Sequence, residues 1–220
     1  MIKLNNLNFI QYKPAFNAQD VVSNPDEKRE IPKEILVLLE KVKNAESYQH
    51  YWDILQKYAA LPDVTAISND TLKNKSFYIK FAAGADIDYL KTILQGLEKK
   101  QICIAPKFVG SALSKEGFGI AVLKIDGTNS GELIPLSQGY HLLEQESKKS
   151  AYSDINKIIK LGIANAKILD KSGLKITPDK PHRLVCENWQ NLYPINNYSK
   201  REINEIIKKL HNIIFNPDKF

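Results

Sequence analysis

Lys80 stands in the middle of an alternating apolar segment, Phe77-Tyr78-Ile79-Lys80-Phe81, and Glu98 follows it eighteen residues later. A segment that alternates with period two reads as a strand, with Phe77 and Ile79 on one face and Tyr78 and Lys80 on the other. A strand lysine steadied by a glutamate on the following helix presents a fixed cation to phosphate groups. A plainer reading of the same spacing is an exposed lysine and a glutamate from the solvated cluster Leu97-Glu98-Lys99-Lys100.

Other chemistries find less support. The four histidines, His50, His141, His182 and His211, share no spacing with acids or cysteines, so no metal-ligand pattern emerges. Cys186 and His182 would share a strand face but lie about 13 Å apart, too far for a nucleophile and its base. No phosphate-binding P-loop, no nucleophile elbow and no zinc-protease helix motif occurs. Cys103 and Cys186 both sit in apolar runs and read as buried free thiols.

The chain has 220 residues, 43% hydrophobic and 25% charged, with a formal net charge of +6. That composition specifies a folded core. The basic residues come as scattered doublets, Lys99-Lys100, Lys148-Lys149 and Lys208-Lys209, with glutamate near most of them. Such spacing reads as solvated helix faces rather than the dense stripe of a nucleic-acid interface, so nucleic acid is not the expected partner. No apolar run approaches a membrane span. The opening residues lack the long apolar centre of a cleavable signal, so the expected location is cytoplasmic, or secreted into a host cell without one.

The elements around Lys80 follow from punctuation and period. Residues 1–30 read as a weakly structured leader with one short strand. Pro32 fits the first turn of a helix whose apolar stripe is Ile35, Leu38, Leu39 and Val42. A second helix over residues 45–60 carries Tyr48, Tyr51, Trp52, Leu55 and Tyr58, an aromatic stripe best read as core. Residues 64–68 read as a strand and 69–75 as a polar turn. After the Lys80 strand, Asp86 suits the N-cap of a helix striped by Ile87, Leu90, Ile93, Leu94 and Leu97. Two strands follow, within residues 104–113 and 118–125. Ser153 suits the N-cap of a helix to about residue 169, and residues 174–176 and 183–186 read as short strands joined by a proline turn. Ser199 and Glu202 form a capping box ahead of the last helix.

Residues 63–192 resemble the protein kinase-like fold, including its aminoglycoside- and choline-phosphotransferase relatives. Ile79-Lys80 resembles the family's strand lysine, and residues 86–100 resemble the helix of its partner glutamate, which would be Glu98. Val122-Leu123-Lys124-Ile125-Asp126-Gly127, followed by Gly131-Glu132-Leu133, is similar to the hinge. Residues 174–189 resemble the strand pair that ends on a metal-binding Asp-Trp. The resemblance implies an α+β, small two-lobed fold: an extension in residues 1–62, an antiparallel sheet with its helix in 63–127, and a reduced helical lobe in 128–220. It implies cofactor-binding roles for Lys80, Glu98 and Asn188, and catalytic roles for Asp170 and Glu187.

The chain departs from the family pattern where the chemistry lies. No glycine occurs in residues 64–75, where a phosphate loop belongs. The nearest candidate for the catalytic aspartate, Asp170, lacks the asparagine five residues on, since that position is Lys175. Asn188, with Glu187 before it, stands where the metal aspartate precedes Trp189, and a neutral amide is a weaker Mg²⁺ ligand than a carboxylate. The expected function is therefore a degenerate kinase-like protein that binds a protein partner, similar to small bacterial effector kinases. One alternative is an atypical phosphotransferase, with ATP and Mg²⁺ as cofactors and Lys80, Glu98, Asp170 and Glu187 in displaced roles. Another is a non-kinase inhibitor or immunity-type binding protein built on a plain antiparallel sheet.

Overall fold

The computed structural model describes residues 31–125, 133–161, 173–186 and 198–216. The leader and short strand expected in residues 1–30, part of the hinge-like segment, and Asp170, Glu187, Asn188 and Trp189 lie outside the described residues. The chain is α+β, with an antiparallel five-stranded sheet and a separate three-stranded sheet. It divides into two compact units. The first comprises the described residues up to Thr92 together with Phe108–Lys124; the second comprises Ile93–Lys107 and the described residues from Ile125 onward.

The first unit opens with two helices, α1 (Lys33–Lys43) and α2 (Tyr48–Ala59). Pro32 is the N-cap of α1, and Ile35, Leu38, Leu39 and Val42 form its buried stripe. Ser47 caps α2 by accepting from His50 N–H at 3.1 Å. The sheet follows: β1 (Val64–Ser68), β2 (Thr71–Asn74), β3 (Phe77–Ala83), β4 (Lys107–Leu113) and β5 (Phe118–Lys124), in the order β1-β2-β3-β5-β4.

The alternation around Lys80 fixes which face meets the helices. Phe77, Ile79 and Phe81 of β3 join Ile120 and Val122 of β5 in one core with the buried stripes of α1 and α2. Each such aliphatic or aromatic side chain contributes roughly 1.5–3 kcal/mol by leaving water. The helical extension and the sheet thus share one core. The other face carries Tyr78, Lys80 and Ala82, opposite Leu123, Ala121 and Gly119.

β3 runs directly into the next helix, α3 (Gly84–Lys99). Gly84 N–H donates to Gly117 O at 2.9 Å, which fixes the helix start two residues before Asp86. Asp86 therefore lies in the first turn and is not the N-cap; there its carboxylate still faces the positive end of the helix dipole.

A second correction concerns residues 69–75, expected as one polar turn. Thr71–Asn74 is strand β2, and only Asn69 and Asp70 form the β1–β2 turn. Thr71 and Asn74 are polar yet buried: Thr71 Oγ1 donates to Asp70 Oδ1 at 2.9 Å and Asn74 Nδ2 to Tyr58 Oη at 2.9 Å, while Asn74 Oδ1 is buried without a hydrogen bond.

In the second unit, β6 (Ile134–Pro135), β7 (Leu174–Ile176) and β8 (Leu184–Cys186) form the small sheet. The segment after β6 makes the short helix α4 (Leu136–Gly139) and one 3-10 turn. Helix α5 (Gln145–Lys160) begins eight residues before Ser153, which is exposed mid-helix. Its apolar stripe, Ala151, Ile155, Ile158 and Ile159, extends a turn further back than the isoleucines alone suggest. Helix α6 (Lys200–Phe215) packs on α5 and carries the expected capping box.

Cys186 is buried, but Cys103 is exposed. Ile102 and Ile104 on either side of it are buried, so the apolar run that hid Cys103 in the sequence turns this one side chain outward. Neither cysteine forms a disulfide.

Candidate functional site: the strand lysine and the hairpin turn

The register of two ladders builds the surroundings of Lys80. Thr71 opposes it on β2 and Ala121 on β5, both small, so the long side chain runs between neighbours that do not crowd it. The β2–β3 pairing continues past Thr71, since Phe81 N–H donates to Asp70 O at 2.8 Å. Asp70, in the β1–β2 turn, is thereby anchored beside Lys80.

Lys80 Nζ donates to Asp70 Oδ2 and forms an ion pair with it. Ser68 Oγ and Thr71 Oγ1 donate to the other carboxylate oxygen, Oδ1, at 2.7 and 2.9 Å. The pair is well screened from water at the lysine, whose side chain is 14% exposed, and less so at the aspartate, 32% exposed. Burial pushes the Asp70 carboxyl upward, but the Lys80 hydrogen bond and charge, with the Ser68 and Thr71 hydroxyls, outweigh it. The carboxyl is held below the usual carboxylate range and stays ionised.

Glu98, the partner that the resemblance implies for Lys80, lies near the end of α3 and pairs with Lys107 at 3.2 Å, within the second unit. Asp170, Glu187 and Asn188 lie outside the described residues, so the site built here consists of Lys80, Asp70, Ser68 and Thr71. Reading residues 69–75 as one turn hid Asp70 and Thr71, and Ser68 was read only as the end of a strand. The usable signal was Ser68-Asn69-Asp70-Thr71 directly after a β-forming run, a turn whose aspartate can bond its neighbours' hydroxyls.

His182, the other sequence candidate within the described residues, has its Nδ1 3.0 Å from Thr177 O. Arg183 N–H donates to Thr177 Oγ1 at 2.8 Å, so these residues close the β7–β8 turn upon itself. Among the described residues no group of three or more His, Cys, Asp or Glu could hold a metal ion. Nor, among them, is any helix long and apolar enough to cross a membrane.

No protein-family model matches this chain, and no curated protein or solved structure matches it at a significant level.

The residues around Lys80 do not fit a nucleotide. The acid that holds Lys80 comes from the β1–β2 turn, on the side from which phosphates would have to approach, and its charge would repel them. The turn that would have to wrap the phosphates contains two residues and no glycine, so no run of backbone amides is free to approach them.

Proposed function

We propose that this chain is a catalytically degenerate kinase-like protein that acts by binding a protein partner. The kinase-like part is supported by the arrangement that the resemblance implies for a first lobe: the strand bearing Lys80, the helix after it and two more strands, with the strands in one antiparallel sheet. The degenerate part is carried by one observation, the capture of Lys80 by Asp70 together with Ser68 and Thr71. A lysine held by a carboxylate from the turn that should cover the phosphates, and not by one from the following helix, is not placed to stabilise a transferring phosphate.

A protein partner is favoured by the end strand β1. Among the described residues no strand lies on its outer edge, and Ile67 there is 43% exposed. Such an edge is a surface that another chain can extend.

The test is thermal melting with ATP and ADP, with and without Mg²⁺ and Mn²⁺, on the wild type and on Lys80→Ala. A ligand that binds only the folded state raises the melting temperature once its concentration exceeds the dissociation constant. The expected result is no nucleotide-dependent rise at millimolar concentration. A metal-dependent rise in the wild type that Lys80→Ala abolishes would overturn the reading in favour of a phosphotransferase.

A further inference from the structure

Three donors of different kinds converge on the Asp70 carboxylate: the Lys80 ammonium on Oδ2, and the Ser68 and Thr71 hydroxyls on Oδ1. The surface pair Lys115–Glu46, by contrast, is a single contact at 2.8 Å between side chains 64% and 72% exposed. The donors around Asp70 come from three consecutive strands, since Ser68 ends β1, Thr71 begins β2 and Lys80 lies inside β3. Thr71 and Lys80 are rung partners in the ladder, so their separation is set by the sheet and not by the anion between them. An ammonium and hydroxyls converging on one planar oxyanion are the groups that bind free carboxylates and phosphates.

We propose that Ser68, Thr71 and Lys80 form a small-oxyanion cradle whose occupant in the resting protein is the chain's own Asp70 carboxylate. The site is latent: it accepts a carboxylate or phosphate group from outside only when Asp70 is withdrawn. The fold provides a way to withdraw it. The β1–β2 hairpin is the outermost strand pair of the sheet, its register shifts between Ala66 and Ser68, and Asp70 lies in its turn. Swinging the Asp70 side chain out of that turn leaves Ser68, Thr71 and Lys80 in place, because each is held by its own strand. The inference rests on the degenerate-site reading above, because it takes the Lys80–Asp70 bond to be the resting state, and it adds the class of ligand that could replace the bond.

Chemical rescue tests it. Wild type, Asp70→Ala and the double variant Asp70→Ala with Lys80→Met are melted in acetate, phosphate or chloride at equal ionic strength. Acetate restores the missing carboxylate, and phosphate tests the larger oxyanion. Phosphate also stabilises proteins by exclusion from their surface, so the wild type and the double variant set that background. The expected result is a rise of several degrees for Asp70→Ala in tens of millimolar acetate or phosphate above the background. Comparison of the two arms names the preferred anion. Equal melting of Asp70→Ala in all three salts, after that background is subtracted, would overturn the proposal. If Asp70→Ala is unfolded in chloride, the fraction refolded from urea in each salt replaces the melting temperature. Refolding promoted by acetate or phosphate and abolished by Lys80→Met is then expected, and refolding indifferent to the anion overturns the cradle. The two readings fail separately: nucleotide binding by the wild type sinks the degenerate-site reading, whereas absence of rescue in Asp70→Ala sinks only the cradle.

Discussion

Asp70 and Lys80 are held together by adjacent positions of one ladder: Thr71 opposes Lys80, and the carbonyl of Asp70 accepts from Phe81 N–H. The ion pair is therefore a consequence of hairpin register, and it links the turn at the sheet's end to the strand at its centre. Removing one partner leaves the other partly buried without its opposite charge. Lys80→Met and Asp70→Asn are each expected to cost about 1.5–3 kcal/mol, the range for hydrogen bonds to charged groups. A double-mutant cycle in urea should return a coupling above ~0.5 kcal/mol, as residues in direct contact do. Additive single-variant effects would show that the two side chains do not stabilise each other.

The depressed Asp70 carboxyl also sets a pH dependence. A group with a lower pKa in the folded state than in the unfolded chain stabilises fully above the unfolded value, about 3.9 for aspartate. That contribution disappears as the pH falls through the lower, folded value. Stability measured from about pH 6 downward should therefore fall more steeply below about pH 4 in the wild type than in Asp70→Asn. Glu46 and Glu202 are also held low, by Lys115 and by Ser199, but they are present in both proteins and cancel in the difference. Identical acid limbs for the two proteins would refute the assignment.

Local signals made much of the sheet and the helices legible. Val64–Ser68 reads as a strand from its β-forming side chains, the Lys80 strand from its alternation, and α1 from Pro32 and the stripe Ile35, Leu38, Leu39 and Val42. Strand β2 was not legible because its residues are mostly polar. Thr71 and Asn74 are buried all the same, and Asn74 bonds Tyr58 sixteen residues away, a contact that no period reveals. The same gap hid half of the site. Lys80 is recognisable as a cation fixed on a strand, but its acid lies ten residues upstream in a turn, and only the β2–β3 register brings the two together. A search forward along the chain finds Glu98, which pairs with Lys107.

The capping box of α6 offers a local test in the second unit. Ser199 Oγ accepts from Glu202 N–H at 3.3 Å, and Glu202 Oε2 accepts from Ser199 N–H at 2.7 Å. Helix N-termini leave several N–H groups without partners, and this reciprocal pair satisfies two of them. Ser199→Ala should cost about 0.5–2 kcal/mol, with Ser199→Gly milder by comparison. Amide hydrogen exchange in the first turn of α6 should accelerate in Ser199→Ala, while exchange in β3 stays unchanged. A global acceleration reaching β3 would mean that the cap serves more than its own helix.

Gly119 is a tight point of the sheet. A Cβ placed there would lie 2.4 Å from Ala112 O, 2.5 Å from Leu113 Cδ2 and 3.0 Å from Ile87 Cδ1. The absence of a side chain is what lets β5 approach both β4 and the start of α3, and Tyr51 Oη donates to the Gly119 carbonyl at 2.8 Å from the opposite face. The strand cannot retreat from one neighbour without disturbing the other. Gly119→Ala is therefore expected to destabilise by about 1–3 kcal/mol or more, as overpacking in a tight core does. For a chain of this size that corresponds to a fall in melting temperature of roughly 2–4 °C per kcal/mol. The nearest obstacle is a backbone carbonyl, so trimming the side chain should not relieve it. Gly119→Ala combined with Leu113→Ala is expected to melt no higher than Gly119→Ala alone. Recovery in that double variant would place the strain in the leucine side chain instead of in the approach of the two strands.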